Sequence, residues 1–248
     1  MAAIAAAPSS AAASPPPSRV AVVFVGGLGS TPSGTAANFG RLAAELRGQA
    51  GYAAADLSTF AYSGGQTCQP IAISTAELAA YVRRLRDGGA FGGVILVGHS
   101  NGGVVALGVP IAAPDLVEPG APFVHRIVTV DSPVLGILTG DAMVMDAHLG
   151  GVVGPCVAAD ELLAEQANPG WPDYMARVVA WEQERSVGVY LVVNPSDWAV
   201  DVSRQQVPGV DVNYAVDVTD SGLNHAAVLK TGAGVAALLP MVGPQAAP

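Results

Sequence analysis

Gly98-His99-Ser100-Asn101-Gly102 sets a serine between two glycines, directly after the apolar run Val94–Val97 and at the head of a helical stretch that begins at Asn101. A serine held at a strand–turn–helix junction projects its hydroxyl above the sheet, and small residues two positions to either side relieve the crowding there. Gly103 adds further room. The Gly-x-Ser-x-Gly pattern alone arises about 0.2 times by chance in a chain of this composition, so its context has to decide. That context makes Ser100 a candidate nucleophile; the alternative is a plain turn serine.

A serine hydroxyl is a poor nucleophile near neutral pH and needs a base, which in turn needs an orienting acid. The chain has four histidines. His99 is fixed beside the serine and its ring is expected to point away. His125 precedes a strand, and His148 lies in a long connection. His225, in Gly222-Leu223-Asn224-His225, follows the last expected strand and opens the final helix, so it is the candidate base; a capping or surface histidine is the alternative. For the acid, Asp197 lies on the turn Asn194-Pro195-Ser196-Asp197 that ends the run Val187–Val193. Asp131, closing the preceding strand, and Asp201 stay open as alternatives, since any of the three carboxylates could instead cap a turn or a helix.

An oxyanion formed at this serine needs backbone N–H donors. The amide of Asn101, next to the nucleophile at a helix start, is one candidate. The amide of Leu28, in the turn Gly26-Gly27-Leu28-Gly29-Ser30, is the other. Read as a dinucleotide-binding turn, that glycine run lacks its third glycine and the acidic residue at the end of the next strand.

These residues have to be positioned by regular elements. Strands are expected at Val20–Val25, 55–61, Val94–Val97, Ile127–Val130, Val187–Val193 and Val210–Val216. Helices are expected around Phe39, Leu42 and Leu46, over Thr75–Arg86, from Asn101 to Leu107, and near Ala226–Leu239. Strands that are apolar along their whole length and alternate with helices specify a parallel sheet covered on both faces. Right-handed crossovers then gather the strand-to-helix turns along one rim, where open α/β sheets bind ligands. The 55 residues from Ser132 to Ser186 break the rhythm, carrying helix-like segments near Ala158–Ala167 and Tyr174–Glu184. An insertion of that length on the functional rim reads as a small helical lid.

Composition narrows the function classes. Hydrophobic residues make up 51% of the 248 and charged residues 12%, which argues for a packed core and one sizeable domain over 19–248. The net charge of −9 offers no cationic footprint for nucleic acid or anionic lipid. No run reaches the roughly 18 apolar residues that would span a bilayer. Residues 1–18, rich in Ala, Ser and Pro, read as a disordered tail. Cys68 and Cys156 match no metal or redox motif, and a disulfide between them, pinning the lid, competes with two free thiols. The disulfide alternative leans toward an exported protein over a cytoplasmic one.

The order of glycine turn, serine elbow, acid and histidine over about residues 19–242 resembles the α/β-hydrolase superfamily, in particular small bacterial serine esterases and lipases. Many of those lipases carry His-Gly where this chain has Gly26-Gly27. The resemblance implies cleavage of small-molecule or lipid carboxylic esters through an acyl-enzyme, with no metal or organic cofactor and no stable membrane insertion. It also implies a cap over Ser132–Ser186 that forms the acyl pocket, with Gly27, Tyr62, Trp171, Trp181 and Trp198 as candidate lining. Thioester, amide or acyl-transfer chemistry on the same residues is the alternative, followed by a non-catalytic binding protein on the same scaffold.

Overall fold

The computed structural model describes residues 19–65, 67–140, 156–167, 171–185, 187–219 and 224–243. The expected tail, His148, Gly222 and Leu223 lie outside the described residues. Among the described residues six strands form one sheet: β1 (Val20–Val25), β2 (Leu57–Thr59), β3 (Gly93–His99), β4 (Val124–Val130), β5 (Gly188–Val193) and β6 (Asn213–Ala215). Their order is β2-β1-β3-β4-β5-β6 and every pairing is parallel. The helices between them are α1 (Pro32–Asn38), α2 (Gly40–Gln49), α3 (Ile71–Asp87), α4 (Asn101–Ala112), α5 (Val157–Ala167), α6 (Trp171–Glu184), α7 (Val202–Gln205), α8 (Ala227–Lys230) and α9 (Gly232–Val242).

The strands are apolar throughout because both faces are covered, and successive side chains go to opposite faces. Ala21, Val23, Val25, Val94, Leu96, Ile127, Val189 and Leu191 join the core beneath α3, α4 and α6. Val22, Phe24, Ile95, Val97, Val128, Val130 and Val192 join the core beneath α2, α8 and α9. The expected parallel sheet of about six strands with helices on both faces is the architecture found.

Several boundaries move for physical reasons. The strand expected over 55–61 keeps only Leu57–Thr59, because Ala54–Asp56 forms a short 3₁₀ turn before it. The last strand shrinks from 210–216 to Asn213–Ala215, which pairs with β5 alone among the described residues. The helix around Phe39 is two helices meeting at that residue. The final helix breaks at Thr231, which is extended and whose hydroxyl caps the restart by accepting from Gly234 N–H. Helix α3 begins at Ile71, well before Thr75, and a carboxylate from α5 accounts for its start: Glu161 accepts from the Ile71 N–H at 2.7 Å.

The connection between β4 and β5 divides into two unlike parts. Helix α6 packs through Met175 and Val179 into the main core and covers the sheet as a crossover helix does. Helix α5 sends Leu162 into a small cluster with Val104, Ile137, Ala199 and Val200, against which Leu28 and Trp198 rest. A disulfide between Cys68 and Cys156 ties the residue before α5 to the loop after β2, across a sequence separation of 88. Among the described residues no single helix is long and apolar enough to cross a membrane.

Glu182, on α6, is fully buried, and neither carboxylate oxygen has a hydrogen-bond partner among the described residues. Burial pushes its pKa up to about 8, against a smaller opposing pull from Arg185. Between the ordinary value near 4.5 and about 8, the folded protein holds a proton that the unfolded chain releases. Stability therefore falls as pH rises through that window. Glu182→Gln is expected to stabilise the fold by about 2–4 kcal/mol more at pH 8 than at pH 5, measured by urea unfolding at both values; an equal effect at both pH values would contradict the buried, protonated carboxyl. Cys156→Ser, or reduction of the bridge, is expected to cost about 2–4 kcal/mol in the same assay.

Candidate active site

Ser100 sits between β3 and α4 with φ 56° and ψ −134°, a conformation that side-chain-bearing residues rarely adopt. Strain of this kind costs about 1–3 kcal/mol and persists only where the surroundings over-determine it. Here the surroundings are glycines packed against backbone. A Cβ on Gly98 would lie 2.4 Å from the Gly102 carbonyl oxygen, and one on Gly102 would lie 2.3 Å from that of Val25. Gly27 passes equally close on the outside, where a Cβ would stand 2.6 Å from the Ser100 Cβ. The elbow is locked into β1 as well as β3, since Val25 pairs with Gly98.

A cavity of about 400 Å³ opens above this turn, lined by Gly27, Leu28, Ser100, Trp198, His225 and Lys230, among others. The structure thus brings the candidate nucleophile and the candidate base to one surface. The His225 ring is bound from behind by Asp197: Nδ1 to Oδ2 is 2.8 Å, and the Asp197 side chain has no exposed surface. The other Asp197 oxygen accepts from the Ala199 N–H at 2.9 Å, and Gln205 adds a further donor at 3.3 Å. Of the three carboxylates weighed, Asp197 is the one in contact with the histidine. Asp131 is fully buried with φ 50°, and neither of its oxygens has a partner among the described residues. Burial, and after it the charge of Asp197, push its pKa well above the ordinary carboxylate value. Asp201 caps α7, accepting from Ser203 N–H.

Asn101 opens α4, where the first backbone N–H groups have no intrahelical acceptor. Leu28 lies in a turn closed by the Ser30 N–H on the Gly27 carbonyl, and Thr67 holds the turn by accepting from Gly29 N–H at 2.7 Å. Tyr62, expected in the pocket, lies elsewhere: its hydroxyl donates to the Gly26 carbonyl at 2.7 Å and its ring belongs to the core. Trp181 is likewise away from the cavity, beneath the Arg185 guanidinium. The side chain of Trp171 lies outside the described residues. Trp198 lines the cavity as expected. A larger apolar cavity of about 520 Å³, between α3, α4, α5 and α6, contains none of the candidate residues.

Two positioning residues were not singled out from the sequence. Gln205 donates to the Val200 and Asn194 carbonyls and accepts from Asn194 N–H, bracing the turn that carries Asp197. Asn194 donates to the Val218 carbonyl and accepts from Ser196 N–H, tying that turn to the segment after β6. Their chemistry was visible, but their partners are non-local. The His99 ring is engaged by the neighbouring segment: its Nε2 donates to the backbone carbonyl of His225 at 2.5 Å.

No family model and no curated protein sequence matches the chain. Solved structures do. The mature lipase BlEst2 of Bacillus licheniformis superposes with a TM-score of 0.64 at 17% identity, over 95% of this chain and 96% of that one. The lin2722 product of Listeria innocua gives 0.57 at 14% identity, over 92% and 96%. A lipase-esterase related protein from Clostridium acetobutylicum ATCC 824 gives 0.55 at 18% identity, over 91% and 95%. The chain has the α/β-hydrolase fold. Within that α/β-hydrolase frame, the strand-to-helix turns after β1 and β3 and the segments after β5 and β6 meet on one rim around the cavity.

The contact between His99 and His225 is open to a direct check. Burial and the neighbouring His225 depress the His99 pKa to about 3. Its imidazole is expected to remain the neutral Nε2–H tautomer from pH 5 to 9, with ring nitrogen NMR shifts constant across that range. Titration inside it would show that the ring is not held on the His225 carbonyl.

Proposed function

We propose that this chain is a serine hydrolase that cleaves carboxylic esters through an acyl-enzyme. The observation that carries the proposal is the strained Ser100 at the strand–helix turn, sharing a cavity with a histidine whose far side is bound to a buried aspartate. In this reading the Ser100 hydroxyl attacks the acyl carbon while Nε2 of His225 takes its proton. Asp197 accepts from Nδ1–H, which fixes the tautomer with Nε2 free and stabilises the imidazolium that forms. The tetrahedral oxyanion is received by the amides of Leu28 and Asn101, and each such donor is worth about 3–4 kcal/mol. The intermediate collapses, His225 protonates the departing alcohol, and water then repeats the sequence to release the acid.

The cap reading attaches to α5 rather than α6. Leu162 of α5 packs with Leu28 and Trp198, two residues of the cavity wall, whereas α6 is built into the main core. The disulfide at the start of α5 favours an oxidising compartment.

Ser100→Ala is expected to reduce turnover of p-nitrophenyl esters by about a thousandfold or more and to abolish labelling by a fluorophosphonate probe. Asp197→Asn is expected to lower kcat by about 10²- to 10⁴-fold while leaving the fold intact by circular dichroism. An intact protein that neither turns over activated esters nor reacts with the probe would overturn the catalytic reading and leave a binding protein on this scaffold.

A further inference from the structure

Lys230 is the sole lysine among the 248 residues, and it lines the cavity of Ser100 and His225. It is exposed, and it forms no ion pair among the described residues. The other described lining residues of this cavity include no aspartate or glutamate, so Lys230 brings the one fixed charge to that wall. Behind it stands Arg41, on α2, whose Nη1 donates to the Lys230 backbone carbonyl at 3.1 Å and which also has no carboxylate partner among the described residues. Other described arginines are differently engaged: Arg83 and Arg86 pair with Asp115, and Arg126 is taken up by the carbonyls of Met241 and Gly243.

The ordinary reason for a lysine at the end of a helix is to satisfy the last carbonyls. Here Arg41 takes the Lys230 carbonyl and the Thr231 N–H takes that of Ala227, while Lys230 itself lines the cavity. On the other wall, Ser30 and Thr31 add hydroxyls from the turn after β1. A cation backed by a second one, at the mouth of a cleft whose other described lining residues carry no aspartate or glutamate, in a chain of net charge −9, suits recognition of a local negative charge.

We propose that Lys230, backed by Arg41, forms an anion subsite at the mouth of the Ser100 cavity, so that the ester substrate carries a carboxylate or phosphate on the part outside the scissile bond. The proposal rests on Ser100 being the nucleophile. Lys230 attracts the anionic group during encounter and holds it in the bound ester, and the effect weakens with salt because the site is open to water.

The test compares three aryl acetates: 4-acetoxybenzoate, 4-acetoxyphenyl phosphate and the neutral 4-acetoxybenzamide. Each kcat/KM is divided by the ester's own hydroxide-catalysed rate. At low salt the preference for an anionic over the neutral ester is expected to be about fivefold to tenfold, falling toward unity in high salt. The carboxylate and phosphate arms show which anion fits. Lys230→Met should bring the ratio near one, Lys230→Arg should retain it, Lys230→Glu should push it below one, and Arg41→Gln should lower it part-way. A ratio in the native protein at or below one, or one unmoved by Lys230→Met, overturns the subsite while turnover of the neutral ester keeps the hydrolase reading intact. Turnover of none of the three overturns both.

Discussion

The fit of three glycines around one serine is the constraint on which the candidate site depends. Gly98 and Gly102 let the backbone of the elbow fold back on itself, and Gly27 lets the neighbouring turn lie flat against it. A methyl group at any of these positions meets backbone or the serine itself at distances that real Cβ atoms do not tolerate. The strain at Ser100 is thus held by packing, with β3 buried along its whole length and paired on both sides. That interlock places the serine hydroxyl, the Leu28 turn and the α4 N-terminus in one register before any histidine is added.

Buried carboxyls show how solvation divides roles in a chain with so few charges. Asp197 is buried but accepts from His225, Ala199 and Gln205, so its lone pairs are occupied. Asp131, at the end of the adjacent strand, is buried with no such donors among the described residues, and burial pushes its pKa up. Hydrogen-bond donors, present at the Asp197 carboxylate and missing at Asp131 among the described residues, separate the two. Both histidines border the cavity, but His99 is buried with its Nε2 donating to the His225 backbone carbonyl, whereas the His225 side chain keeps some exposure.

Legibility in the sequence followed locality. β1 was readable to the residue because six apolar positions end at a glycine turn, and the Ser100 elbow was readable because glycine spacing is itself the steric requirement. His225 and Asp197, which the structure brings into contact, were singled out from their place after strands. What local pattern could not show was set by distant partners: Glu161 starting α3, Thr67 holding the Leu28 turn, Gln205 and Asn194 bracing the acid. Tyr62 was misplaced for the same reason, since nothing near it announces that the Gly26 carbonyl will claim its hydroxyl. The break at Thr231 was hidden because both flanking helices are apolar, and the cap that separates them is a single hydroxyl.

The sheet's margins differ from its centre. β2 and β6 are three residues long, whereas the four strands between them run six or seven. An outer strand that short exposes few unsatisfied amide and carbonyl groups, so a second molecule has little ladder on which to add a strand. A body this rich in apolar sequence therefore guards against sheet-to-sheet self-association by trimming its borders.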